Sequence, residues 1–361
     1  MSEAALRDAA VLAIEEINER GGLLGRLVEP VVEDASSNAN RFQVKAAKLL
    51  RDDKVCSIFG CWTSASRKAV LPVLENHNGL LWYPLQYEGN ECSRRVVYTG
   101  STPNQQIIPA VEWLFANGKR RFYLVGSDYI FPKVANLIVK RHLQGLGGSI
   151  VGEDYVALGS RTFESVMGKI RAQKPDVIFS TINGDSNRAF YRWFHKVGFQ
   201  AREIPIMAMS LAEAEVRTIG TSLTAGHLAA WAYFESVDSP ENAAFVRRFK
   251  QRYGELRVTA DPIEAAYFQV HLWAQTVRNA GSTDVETIRQ KVPGQKFAAP
   301  EGPISVDVEN HHTWKMFRVG EIQEDGQFKI VHASPGPIRP DPWNPEINDG
   351  RTCDWKQGKT R

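Results

Sequence analysis

Phe59-Gly-Cys-Trp-Thr-Ser-Ala-Ser-Arg-Lys-Ala-Val70 and Leu80-Leu-Trp-Tyr-Pro-Leu-Gln-Tyr-Glu-Gly89 are the two stretches that decide the fold. Each reads as a buried strand that ends in a loop rich in aromatic and polar side chains. In the first stretch, Thr63 and Ser64 open a helix, whose unpaired backbone N–H groups can receive a carbonyl oxygen or an anion. In the second stretch, Pro84 ends the strand. Adjacent strand ends of this kind form small polar-ligand sites in open α/β sheets.

Outward from these stretches, strand and helix patterns alternate along most of the chain. Strands are predicted at 27–32, 55–59, 80–83, 96–98, 121–125, 149–155, 176–180, 204–208 and 227–231. Helices are predicted at 39–52, 64–77, 104–117, 132–146, 162–172 and 185–197. Three helices (240–253, 262–279, 284–293) and three short strands (303–307, 314–319, 327–332) follow. Such alternation predicts an α/β fold with doubly wound parallel sheets.

Two lobes fit this pattern better than one, because 361 residues exceed an ordinary single core. Segments rich in glycine, proline or small polar residues interrupt the pattern. Those at 98–103 and 235–240 are predicted to be crossovers between the lobes, and a third break falls at 298–303. We predict a first lobe from 1–100 and 236–299, a second lobe from 101–235 and 300–333, and an irregular C-terminal tail at 334–361.

The first helix, whose apolar stripe runs from Ala5 to Ile17, has no predicted strand before it. In a doubly wound sheet the first strand usually lies centrally. Without it, the strands at 27–32 and 55–59 would carry unpaired backbone groups. We therefore expect the natural protein to begin earlier, with an export signal and a first strand, and to be periplasmic. If Met1 is the true start, the absence of a signal peptide predicts a cytoplasmic protein.

Composition excludes several classes of function. Hydrophobic residues make up 43% and charged residues 24% of the chain, as in soluble globular proteins. The net charge of +3 is small and its basic residues are scattered, so nucleic acid is not a predicted partner. Cysteines stand at positions 56, 61, 92 and 353, without metal-ligand spacing, and no metal or cofactor is predicted. A Cys61–Cys92 disulfide is conceivable, but two free thiols are the favoured reading.

Further motifs carry a family resemblance over essentially the whole chain. Besides the two opening stretches, they are Leu6-Arg-Asp-Ala, Val32-Glu-Asp-Ala, Thr102-Pro-Asn-Gln-Gln, Val125-Gly-Ser-Asp-Tyr-Ile-Phe-Pro, Asn183-Gly-Asp-Ser-Asn, Asp261-Pro-Ile-Glu-Ala-Ala-Tyr, Pro300-Glu-Gly-Pro, Glu309-Asn-His-His-Thr and Pro335-Gly-Pro-Ile-Arg-Pro-Asp-Pro-Trp. The chain resembles the substrate-binding proteins of urea and short-chain-amide ABC transporters, within the type I periplasmic binding proteins. The resemblance implies two lobes that are joined by three crossovers and close on one small molecule. It also implies an ABC permease as partner. It is closer to the urea branch than to the cytoplasmic amide sensors.

A urea site needs hydrogen-bond donors for one carbonyl and acceptors for four N–H groups in a dry pocket. Thr63 and Ser64 are the predicted donors, although both residue types are also ordinary helix caps. The resemblance favours Ser64, which falls where relatives place a ligand-binding hydroxyl. The candidate acceptors are Asp128, Glu213, Asn183 and the carbonyls of Leu85 and Gln86. The candidate aromatic walls are Trp62, Tyr83, Tyr87, Tyr129 and Phe131.

Several of these assignments have simpler alternatives. Asp128 and Glu213 could be helix-cap or surface carboxylates, and Tyr87 and Tyr129 could be lobe-interface packing. At the level of function, the leading prediction is a non-enzymatic urea-binding component of a transporter. A cytoplasmic amide sensor that acts through a partner protein is the second reading. An amide hydrolase with Cys61 as nucleophile is the third, although no histidine is near it in sequence.

Overall fold

The structure is a computed structural model that describes residues 2–348, 350, 353–354 and 359–360. Its helices are α1 Ser2–Glu19, α2 Ala39–Arg51, α3 Ser64–Asn76, α4 Pro103–Ala116, α5 Ile130–Gly145, α6 Glu164–Gln173, α7 Ser186–Lys196, α8 Glu213–Ile219, α9 Thr221–Thr224, α10 Pro240–Tyr253, α11 Asp261–Ala280 and α12 Val285–Lys291. No helix within these described ranges is long and apolar enough to cross a bilayer.

The strands alternate with these helices over most of the chain. They are β1 Ile58–Phe59, β2 Leu81–Tyr83, β3 Val96–Tyr98, β4 Arg121–Ser127, β5 Ser149–Val156, β6 Val177–Thr181, β7 Ile206–Ala208, β8 Leu228–Trp231, β9 Lys296–Ala299, β10 Gly302–Val306, β11 Thr313–Trp314, β12 Arg318–Ile322, β13 Phe328–Ala333, β14 Cys353–Asp354 and β15 Lys359–Thr360.

Two mainly parallel sheets organise the molecule, which confirms the predicted fold class. The first has the order β1-β2-β3 and is parallel throughout. The second has the order β13-β12-β8-β7-β6-β4-β5, in which β12 and β13 run antiparallel to their neighbours. Strands β9, β10 and β11 form a small antiparallel sheet, and β14 pairs with β15.

Helices cover the sheets through small and apolar side chains. Helix α1 packs against α11, and Ala9 and Ala13 of α1 and Ala274 of α11 are fully buried. Small residues let two helix backbones approach closely, and larger side chains such as Ile17 and Phe268 share the same buried cluster. In the second sheet, residues 122–127 of β4 and all of β6 are buried, as expected for parallel strands covered on both faces.

The structure corrects several predicted elements. No strand forms at 27–32: the Val28 backbone pairs with the Asn18 side chain at 2.8 Å, and Leu27 and Val32 are exposed. A strand needs a hydrogen-bonded neighbour, and the described residues supply none there. The helices α8 and α9 were not predicted. The predicted strand 314–319 is divided into β11 and the start of β12.

The lobe boundaries stay a prediction. Strands β9 and β10 pair across the predicted boundary at 299/300, with Gly302 opposite Ala299. The predicted crossover at 298–303 is therefore also a hairpin within the small antiparallel sheet. The chain enters the seven-stranded sheet again only between β11 and β12.

Candidate functional site

A small cavity lies between loops of the two parallel sheets. It encloses about 230 Å³ of empty space. Loops after β1 and β2 form one side, and loops after β4 and β6 form the other. Its lining consists of nine of the predicted ligand-binding residues: Trp62, Thr63, Ser64, Tyr83, Leu85, Gln86, Tyr129, Phe131 and Asn183.

Strand register brings these loops together. Phe59 of β1 lies opposite Trp82 of β2, so the loops that follow these two strands leave the first sheet at the same edge. In the second sheet, Gly126 lies opposite Thr181. Carboxyl ends of parallel strands therefore meet at the cavity, as is general for ligand sites in α/β sheets.

The turn from β1 into α3 presents backbone donors to the cavity. Cys61 adopts a left-handed conformation with φ of 62°, and Thr63 then caps the helix by accepting the Ser66 N–H at 3.1 Å. The Thr63 hydroxyl is thus used as a cap. The first-turn N–H groups of Ser64 and Ala65 have no acceptor among the described residues. Free N–H groups at a helix N-terminus favour a carbonyl oxygen or an anion.

The Ser64 hydroxyl was predicted to be a hydrogen-bond donor for the ligand, but the structure leaves it only as an acceptor. Its hydroxyl donates to the Glu88 carboxylate, and Arg67 Nη1 donates to Ser64 Oγ at 3.3 Å. A serine hydroxyl has one proton and two lone pairs. The hydroxyl hydrogen of Ser64 is hydrogen-bonded to Glu88, and one of its lone pairs accepts a hydrogen bond from Arg67. Ser64 therefore has only its second lone pair, an acceptor, left for the cavity.

A buried ionic cluster supports Ser64 from behind. Arg67 is fully buried and contacts Glu91 at 2.7 Å and Glu88 at 3.3 Å, and Lys68 contacts Glu91 at 3.0 Å. Burial opposes ionisation of Glu91, but the charges and hydrogen bonds of Arg67 and Lys68 outweigh it and lower its pKa to about 2.

Aromatic rings hold the Arg67 guanidinium in place. Its central carbon lies 4.7 Å from the centre of the Tyr83 ring and 4.6 Å from that of Tyr87. A planar cation between two ring faces is stabilised by cation–π attraction. Neither Arg67 nor Glu88 was predicted as a functional residue. The sequence does contain a local sign of the role of Arg67: it follows Ser64 by three residues, which places both residues on one helix face.

Two amide side chains offer unpaired acceptors. Gln86 donates through Nε2 to the Met209 carbonyl and to Ser210 Oγ, each at 3.2 Å, and its Oε1 is buried without a partner among the described residues. Asn183 donates through Nδ2 to the Thr181 carbonyl at 3.1 Å, and no described donor reaches its Oδ1. Both side chains line the cavity. They can therefore accept N–H groups from a ligand.

Glycine and aromatic residues shape the rest of the cavity. A Cβ on Gly100 would lie 2.0 Å from the Leu85 carbonyl oxygen, so glycine lets the loop of Leu85 and Gln86 pack against the first crossover. The Tyr83 hydroxyl donates to the Trp62 carbonyl at 2.8 Å. Burial raises the pKa of Tyr83 and of Tyr129, so both remain neutral phenols at physiological pH.

Three predicted site residues lie outside the cavity lining. The Asp128 carboxylate is about half exposed and pairs with Lys133 at 2.7 Å. Tyr87 is buried beneath the site, where its hydroxyl bonds His312 Nε2 at 2.6 Å. Glu213 is buried on α8 and accepts the N–H of Glu235 at 2.7 Å. Each finds a local partner instead of the cavity, so the structure supports none of the three as a direct ligand contact.

The cysteines also differ from the prediction. Cys92 forms a disulfide with Cys353, and Cys61 is a free thiol. The alternative Cys61–Cys92 bridge is therefore wrong. Burial raises the pKa of Cys61 to about 12, so the thiolate that a nucleophile requires is not available near neutral pH.

The family of the chain follows from comparison with known proteins. A family model described as a periplasmic binding protein domain matches residues 1–349. The chain belongs to this family. Its members are solute-binding proteins rather than enzymes, which confirms the predicted non-enzymatic class.

Individual relatives agree on the fold and differ in the ligands that their names mention. A Leu/Ile/Val-binding protein homologue of Brucella melitensis is 23% identical over 86% of this chain and 82% of the relative. A solute-binding protein of an ABC transporter from Rhodopseudomonas palustris, solved with 3,4-dihydroxybenzoic acid, superposes with a TM-score of 0.84 at 21% identity, over 93% of this chain and 94% of that one. Such likenesses establish the type I periplasmic binding fold and not the ligand.

One shorter match has a different kind of name. A stretch of 120 residues, 33% of this chain, is 34% identical to a protein of Geobacillus stearothermophilus named limonene hydroxylase. The matched stretch spans 22% of the length of that protein. A match of this extent carries no activity over to the periplasmic binding protein described here.

Proposed function

We propose that this periplasmic binding protein binds urea, or a closely related short-chain amide such as acetamide, and delivers it unchanged to an ABC transporter. One observation carries the proposal: the cavity is small, its lining is uncharged, and it offers both backbone N–H donors and unpaired oxygen acceptors. That combination matches a neutral molecule with one carbonyl and several N–H groups.

Charge disfavours an amino acid, which is the kind of ligand that some relatives' names suggest. An amino acid needs an anionic partner for its ammonium group, and a buried unpaired charge is costly. The described lining residues include no carboxylate.

The available groups fit a planar amide in one orientation. Its carbonyl oxygen points at the free N–H group of Ser64, where the helix dipole favours negative charge. Its N–H groups point at Ser64 Oγ, Gln86 Oε1 and Asn183 Oδ1. Aromatic rings beside the ligand exclude water and strengthen each hydrogen bond.

The disulfide supports export. Cys92 and Cys353 are joined although 261 residues separate them in sequence. Disulfides persist in the periplasm and are rare in the reducing cytosol. This favours a periplasmic receptor with permease partners over a cytoplasmic amide sensor. The high pKa of Cys61 likewise argues against an amide hydrolase.

Calorimetric titration tests the proposal. The purified protein is titrated with urea, acetamide, formamide, leucine and 3,4-dihydroxybenzoate. We expect saturable binding of urea or another short amide, without release of ammonia. Binding of leucine or dihydroxybenzoate in the absence of amide binding would overturn the ligand assignment, and ammonia release would overturn the receptor reading.

A further inference from the structure

The carboxylate behind Ser64 has a role that cavity contacts alone do not reveal. Glu88 is only 2% exposed and does not line the cavity. It accepts a hydrogen bond from the Ser64 hydroxyl group. We propose that Glu88 is a specificity-determining positioning residue, which makes Ser64 an obligate acceptor and so favours a neutral amide over the carboxylate of the same shape. This inference rests on the proposed function.

The argument depends on the hydrogen-bonding inventory of Ser64. Its proton is committed to Glu88, and one lone pair receives Arg67 Nη1 at 3.3 Å. The remaining lone pair can accept an amide N–H. A carboxylate presents only oxygen acceptors, so its oxygen would face the Ser64 lone pair with no proton between them. Acetamide and acetate differ in this respect while sharing their shape.

Arg67 fixes the orientation of Glu88. Its Nη2 donates to Glu88 Oε1 at 3.3 Å, which leaves Oε2 facing Ser64. Arg67 itself is held by Glu91 through Nε at 2.7 Å and by the rings of Tyr83 and Tyr87. The Glu88 carboxylate therefore cannot turn away from Ser64 without leaving a buried guanidinium donor unpaired.

The substitution Glu88→Gln should reverse the hydrogen bond. The amide oxygen of the new glutamine side chain should accept from Arg67, because an amide N–H in that position would face another donor. The amide nitrogen then faces Ser64 and donates to Oγ. Ser64 is thereby free to turn its own proton into the cavity, where it favours an oxygen acceptor.

The test compares acetamide and acetate by calorimetry in the wild type and in Glu88→Gln. We expect acetamide affinity to fall by about tenfold, the scale of one net hydrogen bond. The acetamide-to-acetate affinity ratio should fall by at least as much. An unchanged ratio in a folded variant would overturn the inference.

Two further variants separate positioning from general damage. Glu91→Gln removes a partner of the same Arg67 but does not contact Ser64, so we expect the ratio to stay at the wild-type value. In a Ser64→Ala background, Glu88→Gln should have no further effect on the ratio, because coupling between the two substitutions measures their interaction. An equal fall of the ratio in Glu91→Gln, or full additivity in the double variant, would contradict the role of Glu88.

Ser64→Ala alone keeps the inference testable if Glu88→Gln fails to fold. It should weaken acetamide and leave acetate affinity nearly unchanged, and equal weakening of both would contradict an acceptor role. The proposed function fails separately: a wild type that binds neither urea nor acetamide refutes the receptor assignment. A wild type that binds amides with an unaltered ratio in Glu88→Gln refutes only the inference.

Discussion

At the scale of single residues, the site depends on which atom each side chain leaves unpaired. Ser64 has only an acceptor left for the cavity, and Ser64→Ala removes that acceptor. We expect urea affinity to fall by about tenfold, or about 1.4 kcal/mol, by calorimetric titration. Ser66→Ala is the matched control, because Ser66 is a buried serine two residues along the same helix and bonds the Thr63 carbonyl at 2.8 Å outside the cavity. Equal losses in both would indicate damage to α3.

The same measurement applies to Asp128. Its carboxylate pairs with Lys133 at the surface, where both side chains are more than half exposed. Exposed pairs of this kind contribute little, and Asp128 does not line the cavity. Asp128→Ala should therefore leave urea affinity within about twofold of wild type. A tenfold loss would restore Asp128 as a ligand contact.

Gln86 combines a proposed ligand contact with a link between loops of the two sheets. Gln86→Leu removes both the buried Oε1 acceptor and the bonds to Met209 and Ser210. We expect a loss of urea affinity greater than tenfold, since two kinds of interaction disappear. Ser210→Ala removes one link and keeps the acceptor, because Gln86 still reaches the Met209 carbonyl. Similar losses of urea affinity in the two variants would show that the effect comes only from the link between the two loops and not from the Oε1 acceptor.

Residues at strand ends could be predicted from sequence, whereas side-chain direction could not. Trp62, Ser64 and Asn183 come directly after strands, and their position depends on local pattern. The partner of a side chain depends on the tertiary fold. Asp128 meets a lysine five residues on, and Ser64 meets a carboxylate 24 residues away. The pattern of apolar and polar residues along the sequence predicts neither contact.

At the scale of elements, the alternation of strands and helices was predictable because each parallel strand is a continuous apolar run. The 27–32 segment shows the limit of this reasoning. Its pattern is that of a strand, yet a strand forms only where a neighbour completes its hydrogen bonds. The hairpin of β9 and β10 was read only as a crossover, because glycine and proline mark both kinds of turn.

The C-terminal tail is attached to the body through Cys92–Cys353. Cys353→Ser should lower the free energy of unfolding by about 2–4 kcal/mol, since a disulfide that closes a long loop restrains the unfolded chain. Urea is a proposed ligand, so guanidinium denaturation is the suitable measurement. Cys56→Ser is the control, because Cys56 is a free thiol. Equal stability of Cys353→Ser and wild type under oxidising conditions would show that the bridge contributes nothing.

At the scale of the whole molecule, carboxylates near the predicted second crossover connect segments that are distant in sequence. Glu235 accepts the Thr259 N–H and the Lys250 ammonium, each at 2.6 Å, and also Gln327 at 3.1 Å. Its own N–H is taken by Glu213. The segment around Glu235 is thus held by several partly buried polar contacts as well as by chain connectivity, so ionisation of a member should affect overall stability.

Glu213 provides the clearest pH dependence. Burial raises its pKa from 4.5 to about 8, and its Oε2 has no partner among the described residues. Between pH 4.5 and 8 the folded state therefore holds a proton that the unfolded state has lost. Stability should fall as pH rises through this window, by on the order of 5 kcal/mol in total.

Glu213→Gln tests this assignment, because glutamine keeps the shape and cannot ionise. Its free energy of unfolding relative to wild type should increase from pH 5 to about pH 8 and level off above that, in guanidinium titrations at each pH. Urea affinity at pH 6, where wild-type Glu213 is neutral, should match that of wild type, because the side chain does not line the cavity. A constant difference across the pH range would mean that Glu213 is ionised in the folded protein, and a loss of urea affinity would place it in the site.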